Sequence, residues 1–445
     1  MKVIDGYNSI NTKRQNVVFG DTLLNTCTYN DPYAKFQLVG TSEYGERMFI
    51  PVGEKLLSRH MLLLGGIGTG KSNAFNHIIR SVRQSISTDD VIIIFDTKGD
   101  YYNEFYVPGD IVISNDERAT GGYGADYWNI FEEVTIDDRV EDNILEISKS
   151  LFSEKIESSS QPFFPNAAKD LFSAMMLHLV RSDKFADKRN NQSLRSYFNT
   201  LTPDIMKQIL EQHDDLKAMK SYIDDVKSGQ TLGVMSELQQ AVREVFTGNF
   251  KNNGTLSMRK IVKNKGAKVV FIEYDLSLGA VLTPIYKLLI DLAIKEALCR
   301  HTNEGNVYFF IDEFRLVPHL DHIDDGVNFG RSLGAKFTIG IQNIDQMMAA
   351  YGEYRAKSIL SGFGTTFAFK VNDAESRMYI KNMFGTNTKL QTYMSTVQNR
   401  GISEQLTESC VVEDSDINNL SVGEAIVRIY EGSPFKFKFN LYQKY

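Results

Sequence analysis

Short, mostly apolar runs alternate along the chain with stretches in which apolar positions recur every three or four residues. Leu62-Leu63-Leu64, Val91 to Phe95, Val269 to Ile272, Val307 to Ile311, Phe337 to Ile341 and Thr366 to Phe369 are the runs, most of them rich in β-branched and aromatic residues. They predict strands covered on both faces, as in a parallel sheet. Phe75, Ile78, Ile79 and Val82 fall at i, i+3, i+4 and i+7, the buried face of a helix. Ile285, Leu288, Leu289 and Leu292 repeat that pattern after Thr283-Pro284, which predicts a helix opened by a cap residue and a proline at its first position. Strands alternating with helices predict a doubly wound α/β fold with a mostly parallel, twisted sheet.

Two regions break the alternation. Residues 1–56 hold short pieces such as Val17-Val18-Phe19 and Phe36 to Val39, interrupted by Gly, Asn and Asp, and predict a small β-rich N-terminal segment. Residues 131–265 have few strand-like runs; Leu171, Phe172, Met175, Met176, Leu179 and Val180 form a helical stripe, and Ile205 to Val226 reads as surface helices. This predicts an all-α insertion that divides the core into 57–130 and 266–445. Phe435 to Leu441 alternates strictly between apolar and polar residues, the pattern of an edge hairpin with one wet face.

The chemistry concentrates where the strands end. Gly65-Gly66-Ile67-Gly68-Thr69-Gly70-Lys71-Ser72 meets the full phosphate-loop pattern, between a predicted strand and a predicted helix. Gly65, Gly68, Thr69 and Gly70 belong to a loop whose backbone N–H groups turn toward phosphates; Lys71 adds a charge and Ser72 a hydroxyl for Mg²⁺. The strand from Val307 runs into Asp312-Glu313, which places one carboxylate for the Mg²⁺ shell and one to polarise an attacking water. Gln342 ends the next strand at the same edge, where an amide can sense the terminal phosphate. Arg331, in Gly330-Arg331-Ser332-Leu333-Gly334, is a candidate for stabilising charge on the transferred phosphoryl group.

Composition narrows the class. The chain has 445 residues, 42% of them hydrophobic, enough for a large core in two or three domains. Three scattered cysteines argue for a reducing compartment and against a disulfide framework or a zinc site. No run approaches the roughly 18–20 apolar residues of a membrane span, so a soluble, cytoplasmic protein is expected. A net charge of −7 excludes a polycationic coat protein but leaves room for a local basic channel. Arg259, Lys260, Lys263, Lys265 and Lys268 form the densest linear basic run and are the candidates for DNA contact, against the alternative of a solvated helix end. His319 and His322, beside Asp321 and Asp324, have the spacing of a metal pair but no Cys or further His nearby to complete a site, and read as ordinary loop or helix residues.

The order GGIGTGKS, IIIFDTKGD, a helical insertion, VYFFIDEF, GRSLGAKFTIGIQN and AYGEYRAKSILSGFGTTFAF resembles the coupling proteins of conjugative type IV secretion systems, in the HerA/FtsK branch of DNA-pumping ATPases. The resemblance covers about residues 55–445. It implies a RecA-like P-loop NTPase using ATP and Mg²⁺, assembled as a homo-hexamer around DNA, with a relaxase or secretion-channel protein as further partner. It also implies that Arg331 reaches into the adjacent subunit's site, that Gln342 is the sensor, and that residues 131–265 face the DNA entrance. Asp96, Lys98, Gly99 and Asp100 match a family motif to which no individual roles are assigned. Most coupling proteins begin with membrane-spanning helices; none is evident here, which implies either docking at the membrane's inner face through a partner or the pumping of DNA elsewhere. A soluble translocase working with a nuclease in genome processing or phage defence, a nucleotide-gated adaptor that recruits substrates, and a monomer that assembles only on DNA remain the alternatives.

Overall fold

The computed structural model describes residues 2–4, 17–115, 127–299, 305–394 and 402–444. Its strands are β1 (Lys2–Ile4), β2 (Val17–Phe19), β3 (Ala34–Thr41), β4 (Arg47–Gly53), β5 (Met61–Leu64), β6 (Val91–Asp96), β7 (Ile111–Ile113), β8 (Lys268–Glu273), β9 (Val307–Ile311), β10 (Ala335–Ile341), β11 (Thr365–Ala368), β12 (Thr386–Met394), β13 (Ile402–Cys410), β14 (Glu424–Ile429) and β15 (Phe435–Phe439). The chain forms two compact units: Met1–Ile86, Tyr308–Arg315 and Val327–Tyr445 make one, Ser87–Val307 and Leu316–Gly326 the other.

In the first unit the strands lie in the order β4-β3-β15-β14-β11-β5-β10-β9. β5 sits between β11 and β10, parallel to both, with Met61 opposite Thr365 on one side and Thr338 on the other. Every residue of β5, β10 and β11 is buried; β5 is accordingly a continuous apolar run, while β10 and β11 also bury the polar side chains of Lys336, Thr338, Thr365 and Thr366. β14, β15, β3 and β4 extend the sheet by antiparallel pairing. A smaller antiparallel sheet joins β1, β2, β12 and β13.

β15 is not the sheet edge that its alternation predicts. The hairpin of β3 and β4 covers its far side, so Lys436 is only 8% exposed and reaches Glu43 at 3.5 Å, while Phe435, Phe437 and Phe439 are buried. Gly40 makes this pairing close, since a Cβ there would lie 2.3 Å from the Lys438 carbonyl. A side-chain pattern reports which face is greasy, not which strand pairs beside it.

In the second unit β8 lies between β6 and β7, parallel to both. Among the described residues the regular elements from Ile130 to Asn264 are helices, including Val140–Ser158, Phe163–Arg181 and Gly229–Val245, with Leu256 making a single parallel bridge to Trp128. Leu171, Phe172, Met175, Met176 and Leu179 are buried as expected, Phe172 stacked on Phe198 at 5.3 Å. The helix predicted to open at Pro284 begins instead at Gly279. Leu282, fully buried, extends the apolar face by a turn, and the Thr283 hydroxyl donates to the Gly279 carbonyl beside the proline. No helix among the described residues is long and apolar enough to cross a membrane.

The basic run proposed for DNA contact is not one surface. Arg259 is 4% exposed and donates to Glu296 (2.9 Å), Asn143 (2.8 Å) and Asp137 (2.9 Å). Its backbone N–H, with those of Met258 and the side chains of Trp128 and Ser257, satisfies the fully buried Glu133. Lys265 is also buried and Lys260 pairs with Glu132, leaving Lys263 and Lys268 at the surface. Arg259 is a core hub of the helical region.

Candidate nucleotide site

β5 ends at Leu64 and the helix Lys71–Ser85 begins seven residues later, its apolar face of Phe75, Ile78, Ile79 and Val82 fully buried. The intervening loop needs left-handed backbone at Gly68 (φ 74°) and Gly70 (φ 105°), which glycine adopts without a Cβ penalty. Gly70 is the residue before the helix, so the first helical N–H groups stay unpaired within it and point at the place a phosphate would take. Lys71 is buried and its ammonium donates to the Gly65 and Gly66 carbonyls at 2.5 and 3.1 Å. The Thr69 hydroxyl closes the loop on the Gly66 carbonyl at 2.8 Å.

Three neighbours brace the loop. Gly65 N–H donates to the Ile341 carbonyl at the end of β10, Gly66 N–H to Lys370 after β11, and Gly423 N–H to the Thr69 carbonyl. Lys370 and Gly423 were invisible as site elements in the sequence, since nothing local marks a residue some 300 or more positions away as a brace.

Asp312 and Glu313 follow β9, and Gln342 follows β10, its neighbour in the sheet. The Ser72 hydroxyl donates to Asp312 Oδ2 at 2.9 Å. Two cis ligands of an octahedral Mg²⁺ at about 2.0–2.1 Å lie about 2.9 Å apart, so the hydroxyl and carboxylate fit that ion. The Gln342 amide donates to Glu313 Oε2 at 2.6 Å, and Arg315 Nε to Glu313 Oε1 at 2.8 Å. Arg315 was not anticipated; its position two residues after Glu313 is the signal that could have raised it. Gly340, inside the buried β10, lets the acidic turn approach, because a Cβ there would lie 2.2 Å from the Asp312 carbonyl. A glycine in a strand interior is the sequence mark of such an approach.

Gly65, Gly68, Thr69, Gly70, Lys71, Ser72, Asp312, Glu313 and Gln342 are thus gathered at one sheet edge. Arg331 stands apart, exposed in the last turn of the helix Ile323–Leu333. In the second unit Asp96 is buried and accepts N–H bonds from Lys98 (3.2 Å) and Tyr102 (2.8 Å), burial pushing its carboxyl up. That carboxylate shapes the turn after β6. His322 Nε2 lies 2.8 Å from Glu146 and His319 Nδ1 lies 3.7 Å from Glu157.

The family described as type IV secretion-system coupling protein DNA-binding domain matches residues 48–440. The chain belongs to this family. It is 23% identical over 312 residues to the type IV secretion system-coupling protein VirD4 of Bartonella henselae, a match covering 66% of this chain and 47% of that protein. It is 21% identical over 381 residues to coupling protein TraD of Escherichia coli K12, covering 81% and 50%. The chain spans about half the length of these two relatives. Among solved structures, the bacterial conjugative coupling protein TrwBdeltaN70 with sulphate superposes with a TM-score of 0.74 at 17% identity, covering 96% of this chain and 95% of that one. TrwB in complex with ADP and Mg²⁺ gives 0.71, with 97% and 96% covered. The coupling-protein chain therefore has the P-loop NTPase fold.

Proposed function

We propose that this coupling-protein chain hydrolyses ATP and uses the energy to move DNA toward a secretion channel. The observation that carries the reading is the convergence at one edge of Lys71, the Ser72–Asp312 contact and the Gln342–Glu313 contact. Lys71 and the loop N–H groups hold the phosphates, Ser72 and Asp312 hold Mg²⁺, Glu313 takes the proton of the attacking water, and Gln342 orients that water. Mg²⁺ held by Ser72 and Asp312 would offset phosphate charge. TrwB's complexes with ADP and Mg²⁺ and with a non-hydrolysable ATP analogue support these ligands for a chain of the same fold. The family's description as a DNA-binding domain supports DNA as cargo.

Arg331 is exposed and outside the cluster, which suits insertion into a neighbouring copy's site in a homo-hexamer. The helical region of residues 131–265 is the element offered to DNA at the entrance, with a relaxase or channel protein as partner and the inner membrane face as the place of work. Steady-state ATP hydrolysis by wild type, Lys71→Ala and Arg331→Ala, with and without single- and double-stranded DNA across protein concentrations, tests the reading. Turnover that rises with DNA and more than linearly with protein, and is lost in both variants, is expected. Turnover indifferent to DNA and to Arg331→Ala would leave a nucleotide-gated adaptor instead.

A further inference from the structure

The sheet order gives the nucleotide site a direction. β10 and then β9 lie on one side of β5; β11, β14 and β15 lie on the other. Glu313 and Gln342 follow β9 and β10, so the reacting end of a triphosphate belongs on that side. A triphosphate laid along the loop with its γ-phosphate toward Glu313 directs its nucleoside toward β14 and β15.

Two segments stand there, both tied to the phosphate loop. The turn Ser421-Val422-Gly423 precedes β14; Gly423 N–H donates to the Thr69 carbonyl at 2.9 Å, and the contact is so close that a Cβ on Gly70 would lie 2.7 Å from Gly423 Cα. The tail Asn440-Leu441-Tyr442 follows β15 and is clamped by Asn73, the residue after Ser72. Asn73 Nδ2 donates to the Asn440 carbonyl (2.9 Å) and Asn73 Oδ1 accepts from Tyr442 N–H (2.8 Å). His77 Nε2 meets the same Asn440 carbonyl at 2.9 Å and stacks on Phe439, while Arg80 lies 5.8 Å from the Tyr442 ring. Against this rigid backing Val422 and Leu441 are 70% and 80% exposed. Scattered exposed apolar residues are ordinary; a pair held by backbone bonds beside the exit of a phosphate loop has a defined neighbour.

Resting on the nucleotide reading above, we propose that the Val422 turn and the Asn440–Tyr442 tail form the shelf for the nucleoside of the bound nucleotide. Val422 and Leu441 give apolar contact to the base, and Asn73 is a positioning residue that keeps the tail in place.

The test compares binding of Mg-ATP with binding of Mg-tripolyphosphate, which has the phosphates and no nucleoside, by calorimetry on the full chain. Val422→Asp and Leu441→Asp change exposed side chains, and tripolyphosphate binding itself reports an intact phosphate loop. Each is expected to weaken ATP by about ten- to a hundredfold, the worth of one apolar contact replaced by a charge, and to leave tripolyphosphate affinity unchanged. Asn73→Ala is expected to follow the same pattern. ATP affinity unchanged in all three variants, or both ligands weakened equally, overturns the shelf. Wild type that binds neither ligand, or binds both irrespective of Lys71→Ala, overturns the nucleotide reading and the shelf with it.

Discussion

One methyl group at Gly340 would stand 2.2 Å from the Asp312 carbonyl, a backbone atom that cannot swing aside. Gly340→Ala is expected to cost about 1–3 kcal/mol, as overpacking does, and to push Asp312 away from Ser72. Thermal unfolding should show the loss, and the Mg²⁺ concentration for half-maximal turnover should rise. Gly229→Ala, at a helix start with open space around it, is the matched control and should be neutral or slightly stabilising. His60 acts on the same scale. Nδ1 accepts from Phe337 N–H and Nε2 faces the Val327 carbonyl, both at 3.1 Å, and burial lowers the imidazole to about 4. The folded chain keeps His60 neutral while the unfolded chain takes up a proton below about 6.5. That stability is present above the unfolded value and is lost as pH falls toward the folded one, by about 2 kcal/mol between about pH 7 and about pH 5. Urea unfolding at both pH values should show this loss in wild type and a smaller loss in His60→Gln.

Elements were legible in the sequence wherever their signal is local. The phosphate loop, the acidic pair and the buried strands are each written in fewer than ten consecutive residues, and each folds where expected. What depended on pairing between distant segments was not legible. β15 looked like an edge because the β3–β4 hairpin that covers it lies some 400 residues earlier. Arg259 looked like a DNA contact because a basic run says nothing about the carboxylates that fold onto it from Asp137 and Glu296. Arg259→Leu should therefore cost about 3–5 kcal/mol, the penalty for stranding buried carboxylates. Denaturation should report it, while the folded variant's DNA affinity, measured by fluorescence anisotropy, should match wild type.

For the whole molecule, the proposed service of Arg331 to a neighbouring copy would make a defect at one copy repairable by another. Lys71→Ala lacks a phosphate site but keeps Arg331; Arg331→Ala lacks the arginine but keeps the site. Mixed in equal amounts, two inactive preparations are expected to recover about one quarter of wild-type turnover, the chance that a sound site meets a sound neighbour in a closed head-to-tail ring. No recovery, with hexamers of mixed composition confirmed by mass spectrometry, would place Arg331 in its own subunit's chemistry or outside it.

The bond between Asn73 and the Asn440 carbonyl joins residues 367 positions apart. On a ribosome adding about 5–20 residues per second, that separation is about 20–70 s of synthesis. The phosphate loop leaves the exit tunnel before its braces, and Ile341, Lys370, Gly423 and Asn440 follow much later and in that order. A nascent chain thus carries the loop throughout that interval without the braces that shape it, and a fully braced phosphate loop waits for the last of them.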